Sequence, residues 1–356
     1  MKKMIFHLPV AVDGASSGSQ IRPLKMLEAF RDIGYDVDVV MGYVSDRKEQ
    51  IAKIKDKIGR GVKYEFLYSE SSTMPTALTQ KHHFPTAPFL DFNFFNFCKS
   101  HNIKIGLFYR DIYWVFPEYH KETSFFKYQF AKLFYLYDLK EYNRYVDMLY
   151  LPSKEMHAYF PISFRQNIGA LPPAVDSVEC DVIASRKLRF IYVGGLSGVY
   201  DLTLFGRALL GLKDVTFNLC TREQEWEKSK HMYENMPIKV HHLAGKALCE
   251  AYEVSDIAVY FIKPDKLWSF AMGVKLFEYI AYKKPIIAVK GTAIGDFVQK
   301  YDIGWVLEYD AAILEKLFIS LQKNPQEIKE KIINIEKIIP LQRWEARAKQ
   351  VEEDLT

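Results

Sequence analysis

The sequence has 356 residues, and its 48 Lys and Arg against 44 Asp and Glu leave a formal net charge of +4, too weak a balance for a duplex DNA or RNA binder. At 49% hydrophobic and 26% charged residues the composition is that of an ordinary globular chain, which excludes disorder and fibrous repeats, and the length suggests about two domains. No apolar run approaches the roughly 18 residues of a membrane span, and Met1-Lys2-Lys3 leads into a segment too short for a signal-peptide core, so a cytoplasmic protein is expected.

Lys3 to Pro9 reads as a buried strand, followed by the small-residue stretch Asp13 to Ser19 and a helical stripe of Ile21, Leu24, Leu27 and Phe30 that Gly34 stops. Asp36 to Gly42 supplies a second strand, Asp46 to Ile58 a charged helix and Lys63 to Tyr68 a third strand, with further strands at Lys104 to Phe108 and Met148 to Leu151. Such alternation predicts a parallel sheet covered by helices. The pattern lapses over 171–187, which reads as a linker. A second alternation then runs through strands at Leu188 to Val193, Val215 to Cys220, Val240 to Leu243, Ile257 to Ile262, Ile286 to Val289 and Trp305 to Leu307. Helices are expected between them at 203–212, 223–235, 247–255, 274–282 and 293–301. Trp344, Ala348, Val351 and Leu355 share a stripe on a last helix that needs a surface to cover. The expected architecture is α/β: two doubly wound Rossmann-like domains, 1–170 and 188–339, facing a central cleft, with a terminal segment 340–356.

Lys275 falls in the first turn of a helix, where the macrodipole disfavours a cation, and Glu278 follows three residues later on nearly the same face. An anion at this helix start would suit both the lysine and the free backbone N–H groups, and Glu278 can accept from ribose hydroxyls; a local ion pair is the other reading. Arg222, just past the strand Val215 to Cys220, is a further cation at a strand end or a solvated helix-start arginine. In the first half, Gly14, Ser16, Ser17 and Gly18 form a turn whose backbone can approach a phosphate or sugar, or a plain connection. The pair Arg110-Asp111 follows an apolar strand, so Asp111 is a candidate to receive an acceptor hydroxyl proton and Arg110 to bind an anion, or the two brace the aromatic segment as an ion pair. The guanidinium is expected to outweigh desolvation and keep Asp111 ionised.

His82-His83 and His241-His242 lack metal-ligand spacing and read as structural or exposed. Cys98, Cys180, Cys220 and Cys249 contain no Cys-x-x-Cys pair and read as buried thiols. Aromatic residues make up 15% of the chain, and residues 1–175 hold 23 basic against 18 acidic side chains. The stretch Phe125 to Tyr145 interleaves both types, as a packed helix or as a surface that rests on lipid headgroups.

Val274-Lys275-Leu276-Phe277-Glu278-Tyr279 and the strand through Ala288 resemble the corresponding helix and strand of GT-B glycosyltransferases, specifically family 4 of bacterial polysaccharide and lipopolysaccharide synthesis. Tyr192-Val193-Gly194-Gly195, Pro152-Ser153, Leu171-Pro172-Pro173 and Trp344-Glu345-Ala346-Arg347-Ala348 fall in the matching order. The resemblance implies a transferase that moves a sugar from a nucleotide diphosphate sugar of UDP or GDP type to a glycan or lipid-linked acceptor, with no cofactor, no metal and no nucleic acid. It implies retention of anomeric configuration and a terminal helix that crosses back to the first domain, while the basic, aromatic stretch Phe125 to Tyr145 is what suggests work at the inner face of the membrane. Donor binding would fall to Gly194, Gly195, Tyr200, Arg222, Gly273, Val274, Lys275 and Glu278. The chain departs from the pattern twice: Phe270 stands where the family carries a second glutamate, and Gly195 to Asp201 lacks the family's Arg and Lys. A nucleotide-sugar 2-epimerase on the same fold and a non-catalytic subunit are the alternatives.

Overall fold

A computed structural model of the chain describes residues 2–12, 18–117, 119, 124–178, 183, 185, 187–196 and 198–356. They divide into two compact units, Met1–Pro173 with Trp344–Thr356, and Ala174–Arg343.

In the first unit, strands β1 (Lys3–Leu8), β2 (Asp36–Met41), β3 (Phe66–Glu70), β4 (Lys104–Phe108), β5 (Met148–Leu151) and β6 (Asn167–Ala170) form one parallel sheet in the order β2-β1-β3-β4-β5-β6. Helices α1 (Gly18–Asp32), α2 (Val44–Gly59), α3 (Leu90–Ser100) and α4 (Phe125–Tyr145) connect or cover them. Met4 to Leu8 is buried throughout, as expected of a central strand covered on both faces. The third strand starts and ends later than hydropathy suggests. It continues through Ser69 and Glu70 because both polar side chains are buried and paired, Ser69 Oγ lying 2.8 Å from His7 Nδ1 and Glu70 bonded to Arg22. Edge strand β6, with the sequence Asn-Ile-Gly-Ala, has too short an apolar alternation to announce itself.

In the second unit, β7 (Leu188–Val193), β8 (Val215–Cys220), β9 (Ile238–His241), β10 (Ile257–Tyr260), β11 (Ile286–Val289) and β12 (Gly304–Leu307) form a parallel sheet in the order β12-β11-β10-β7-β8-β9. The helices are α5 (Thr203–Ala208), α6 (Glu223–Ser229), α7 (Leu248–Glu253), α8 (Val274–Ala281), α9 (Ala293–Tyr301), α10 (Ala311–Lys323) and α11 (Gln326–Ile338). Alternate residues of each strand feed a core on either face: Ile191, Ala258 and Ile286 pack with Phe277 and Ile280, whereas Phe190, Val259 and Ile287 pack with Phe205 and Phe318.

The last helix, α12 (Trp344–Leu355), belongs to the first unit. Its stripe of Trp344, Ala348, Val351 and Leu355 is buried. Tyr35 and Tyr150 donate to Glu352 and Asp354 at 2.8 and 3.0 Å, and Arg347 Nε donates to Pro172 O at 3.2 Å. A Cβ on Gly106 of β4 would lie 2.8 Å from Leu355 Cδ1, so the bare glycine makes room for the helix. In each sheet the order reverses beside the first strand of its unit, between β1 and β3 and between β7 and β10. Doubly wound sheets open their ligand crevices at the carboxyl ends of such strands.

Candidate active site

At the carboxyl end of β7 the chain passes through Gly194 and Gly195, and beyond neighbouring β10 the segment 261–273 leads into α8. Gly273 is the extended N-cap of α8, so Val274 and Lys275 occupy the first turn, where backbone N–H groups have no intrahelical partner and the macrodipole is positive. Lys275 is half-buried. Its Nζ donates to Tyr192 Oη at 3.3 Å and lies 4.6 Å from the Tyr200 ring centre and 4.9 Å from that of Tyr192.

The local ion pair that spacing allows does not form. Glu278 instead accepts from Tyr252 Oη at 3.0 Å, and among the described residues Lys275 has no carboxylate within 4.0 Å. Burial lowers the Lys275 pKa to about 8, opposed by Glu278 and Glu225 and assisted by Arg222. Burial likewise raises the Glu278 pKa, with Tyr252 and Lys275 opposing. The ammonium is thus partly desolvated at a helix start that already repels it, an arrangement that an anion would relieve.

The glycines define the space. Gly194 has φ +152°, and a Cβ there would lie 1.8 Å from Lys275 Nζ. A Cβ on Gly273 would lie 2.4 Å from Tyr260 Oη, and one on Gly195 2.7 Å from Glu225 Oε2. Glu225 is held by the Leu196 amide at 2.8 Å, while Tyr192 Oη donates to Gly195 O at 2.8 Å. Gly194, Gly195, Tyr200, Gly273, Val274, Lys275 and Glu278 therefore gather at one end of the second sheet. Arg222, at the start of α6, is 83% exposed and 3.5 Å from Glu225, so it reaches Lys275 by field rather than contact. Phe270 is buried. Sequence reading missed Tyr192, Tyr252 and Tyr260. Their signal is a polar tip on a ring within an apolar strand or helix, which needs a partner once buried.

In the first unit Arg110 does not lean on Asp111. Its Nη2 lies 3.4 Å from Glu70 Oε2, its Nε donates to Ser71 O at 3.3 Å and its amide to Ser71 Oγ at 3.0 Å. Glu70, fully buried at the end of β3, also binds Arg22 and Tyr68. Desolvation therefore outweighs Arg110 at Asp111, whose pKa rises to about 6 with Arg110, Thr73 and the Tyr113 amide opposing. The expected order of those two effects is reversed, because the cation is shared with a second carboxylate. Gly14, Ser16 and Ser17 lie outside the described residues, and Gly18 opens α1.

Helix α4 is both packed and exposed. Tyr128, Tyr135, Asp138, Leu139 and Tyr142 are buried, Tyr135 stacking on Trp114 at 4.7 Å, whereas Phe125, Phe126, Phe130 and Leu133 face solvent. Cys98 and Cys220 are buried thiols, Cys249 is half-buried, and Cys180 lies outside the described residues. Among the described residues no group of three or more His, Cys, Asp or Glu side chains is placed to hold a metal ion, and no helix is long and apolar enough to cross a membrane.

No protein-family model matches the sequence, and neither does any curated protein. Solved structures do. HepE of Anabaena in complex with UDP-glucose is 13% identical over 99% of both chains, with a TM-score of 0.61. A glycosyltransferase from Rickettsia africae is 12% identical over 99% of this chain and 97% of its own, at 0.64. WaaG, a glycosyltransferase involved in lipopolysaccharide biosynthesis, is 12% identical over 99% of both, at 0.58. At such identity the likeness is one of fold, and with two six-stranded parallel sheets and a match over 99% of its length the chain has the GT-B fold.

Proposed function

We propose that the protein is a glycosyltransferase that moves a sugar from a nucleotide diphosphate sugar, of UDP or GDP type, to a glycan or lipid-linked acceptor in surface polysaccharide synthesis. The observation that carries this reading is the Lys275 ammonium, without a carboxylate partner, at the amino end of α8 and the switch point of the second sheet. A UDP donor is favoured, because the structurally similar HepE holds UDP-glucose or UDP.

In this reading the bond between the anomeric carbon and the diphosphate oxygen breaks. Lys275 and the first-turn amides of α8 neutralise the departing charge, so catalysis is chiefly positioning and electrostatic stabilisation. Glu278, oriented by Tyr252, accepts from the ribose hydroxyls. On the acceptor side the attacking hydroxyl forms the new bond to the anomeric carbon and gives up its proton to Asp111 or to the leaving phosphate. Retention of configuration and independence from metal follow from the family resemblance. Work at the inner face of the membrane is part of the same proposal, with the exposed rings of α4 resting on the headgroups.

Calorimetry with UDP and GDP tests the donor site. Lys275→Ala is expected to cost about 1.5–3 kcal/mol of diphosphate affinity, the size of a hydrogen bond to a charged group. Glu278→Ala is expected to weaken uridine and UDP alike. Equal affinities in wild type and both variants would overturn the assignment. Product analysis without acceptor separates transfer from epimerisation, which alone consumes donor to give an isomeric sugar.

A further inference from the structure

Buried polar side-chain atoms almost always find a partner, so those that do not deserve an explanation by a missing ligand, water or strain. Among the described residues of the second unit two such atoms lack one, Trp268 Nε1 and Thr221 Oγ1, and both residues are 5% exposed. Neither is scattered at random through the fold. Trp268 lies in the segment between β10 and α8, packed against Tyr200 at 5.5 Å and Tyr260 at 6.2 Å between ring centres. Those are the tyrosines that abut the Lys275 ammonium and Gly273, respectively. Thr221 is the first residue beyond β8. Its predecessor Cys220 accepts the Gly194 amide at 2.9 Å, and its own backbone is fixed by His241 O at 3.0 Å and His242 Nδ1 at 2.8 Å.

Both unpaired groups thus flank the Gly194 and Lys275 constellation, one from each neighbouring strand end. The backbone is bonded at each, Trp268 N to Asp265 O at 3.0 Å and Thr221 N to His241 O at 3.0 Å, and both side chains are buried away from bulk water. Trp268 has only an N–H to offer, and Thr221 an O–H, so each wants an acceptor. The Lys275 ammonium, bonded to Tyr192 but with no carboxylate partner, wants an anion. A diphosphate is rich in acceptor oxygens and carries the charge that meets all three demands.

We propose that Trp268 and Thr221 are further donor-contacting residues, completing with their indole N–H and hydroxyl the oxygen ligands of the nucleotide diphosphate that Lys275 binds. This rests on the Lys275 assignment. It also accounts for how a chain that lacks the resembled family's Arg and Lys after the first strand of this unit can hold a diphosphate: neutral, buried donors replace exposed cations. Such a site is preorganised and depends less on salt than one built from surface charge.

The test uses the full chain and three probes, UDP, GDP and inorganic pyrophosphate, by titration calorimetry, with Trp268→Phe and Thr221→Val beside Lys275→Ala. Thr221→Val keeps the branched shape and deletes the donor, whereas Trp268→Phe deletes the donor together with part of the buried ring. We expect each to weaken the favoured nucleoside diphosphate about 10-fold, as for one charge-assisted hydrogen bond. The melting temperature of unliganded Thr221→Val should not fall, because deleting an unpaired donor from an isosteric side chain removes no internal bond; Trp268→Phe also gives up packing, so it is read by affinity alone. A fall in Thr221→Val without loss of affinity would mean that its hydroxyl is paired within the fold, and the proposal would be wrong. Wild-type affinity in both variants while Lys275→Ala loses binding would also overturn it, leaving the Lys275 site standing. If Lys275→Ala binds every probe as wild type does, the site itself is misassigned and this proposal falls with it.

Discussion

In the proposed reaction Asp111 and Lys275 carry opposite pH demands. Asp111 receives a proton only when ionised, and burial, opposed by Arg110, holds its pKa up to about 6, so turnover should rise with pH through that value. Lys275 binds a diphosphate only when charged, and its pKa lowered by burial to about 8 should make donor affinity fall as pH passes it. The profile of kcat/KM is therefore expected to be a bell between about 6 and 8. Asp111→Asn should remove the acid limb and lower turnover about 10²-fold to 10⁴-fold while leaving UDP affinity intact. An unchanged acid limb would remove Asp111 from the chemistry. Asp138 makes a different prediction, about stability. Its Oδ2 accepts the Thr76 amide at 2.7 Å, but its Oδ1 has no partner, and burial lifts its pKa to about 7 with the Thr76 bonds opposing. A carboxyl whose folded pKa exceeds its unfolded value binds more protons in the native state, so it contributes a loss of stability as pH rises from about 4 to about 7. Denaturation midpoints should fall across that window in the wild type and fall less in Asp138→Asn; parallel curves would contradict the assignment.

Among the elements, α4 presents four large apolar side chains, Phe125, Phe126, Phe130 and Leu133, beside Lys127 and Lys132 on a helix whose buried Tyr135 and Asp138 meet Trp114 and the turn at Thr76–Leu78. Sedimentation with anionic vesicles at low salt should retain the protein, and Phe125→Ser with Phe126→Ser should release it without lowering the melting temperature. Retention that neither salt nor these substitutions alter would place the contact elsewhere. What the sequence shows of each element depends on the range of the interaction that shapes it. The start of α8 is legible because the glycine at 273, the apolar stripe of Leu276, Phe277 and Ile280, and the Lys275 to Glu278 spacing are all local. Strands β1, β4, β7 and β11 are legible because they are nearly continuous buried runs. By contrast, β3 ends on buried Ser69 and Glu70, whose partners His7 and Arg22 come from distant residues. The same distance hides the tyrosines around the proposed donor site, since the Tyr192 to Lys275 and Tyr252 to Glu278 bonds join residues from different elements. Arg110 is the plainest case: adjacency favours Asp111, and the fold supplies Glu70 instead.

At the scale of the whole molecule, two units with separate cores predict two calorimetric transitions. UDP should raise the one that belongs to Ala174–Arg343, whereas Leu355→Ala should lower the other by about 2–5 kcal/mol of stability for a large buried side chain cut to alanine. A single transition that responds to both would contradict this. The return of α12 to the first unit has a consequence for how the protein is made. Val175 N donates to Gln342 O at 2.8 Å, and Val175 also bridges Arg343, so the second unit has its two ends tied together as an insertion within the first. Translation delivers β1 to β6 well before their covering helix, with the whole second unit made in between. The strip around Gly106 stays bare on the nascent chain until synthesis reaches Leu355, so the first unit waits unfinished while all of Ala174–Arg343 is made, and it needs guarding against aggregation over that interval.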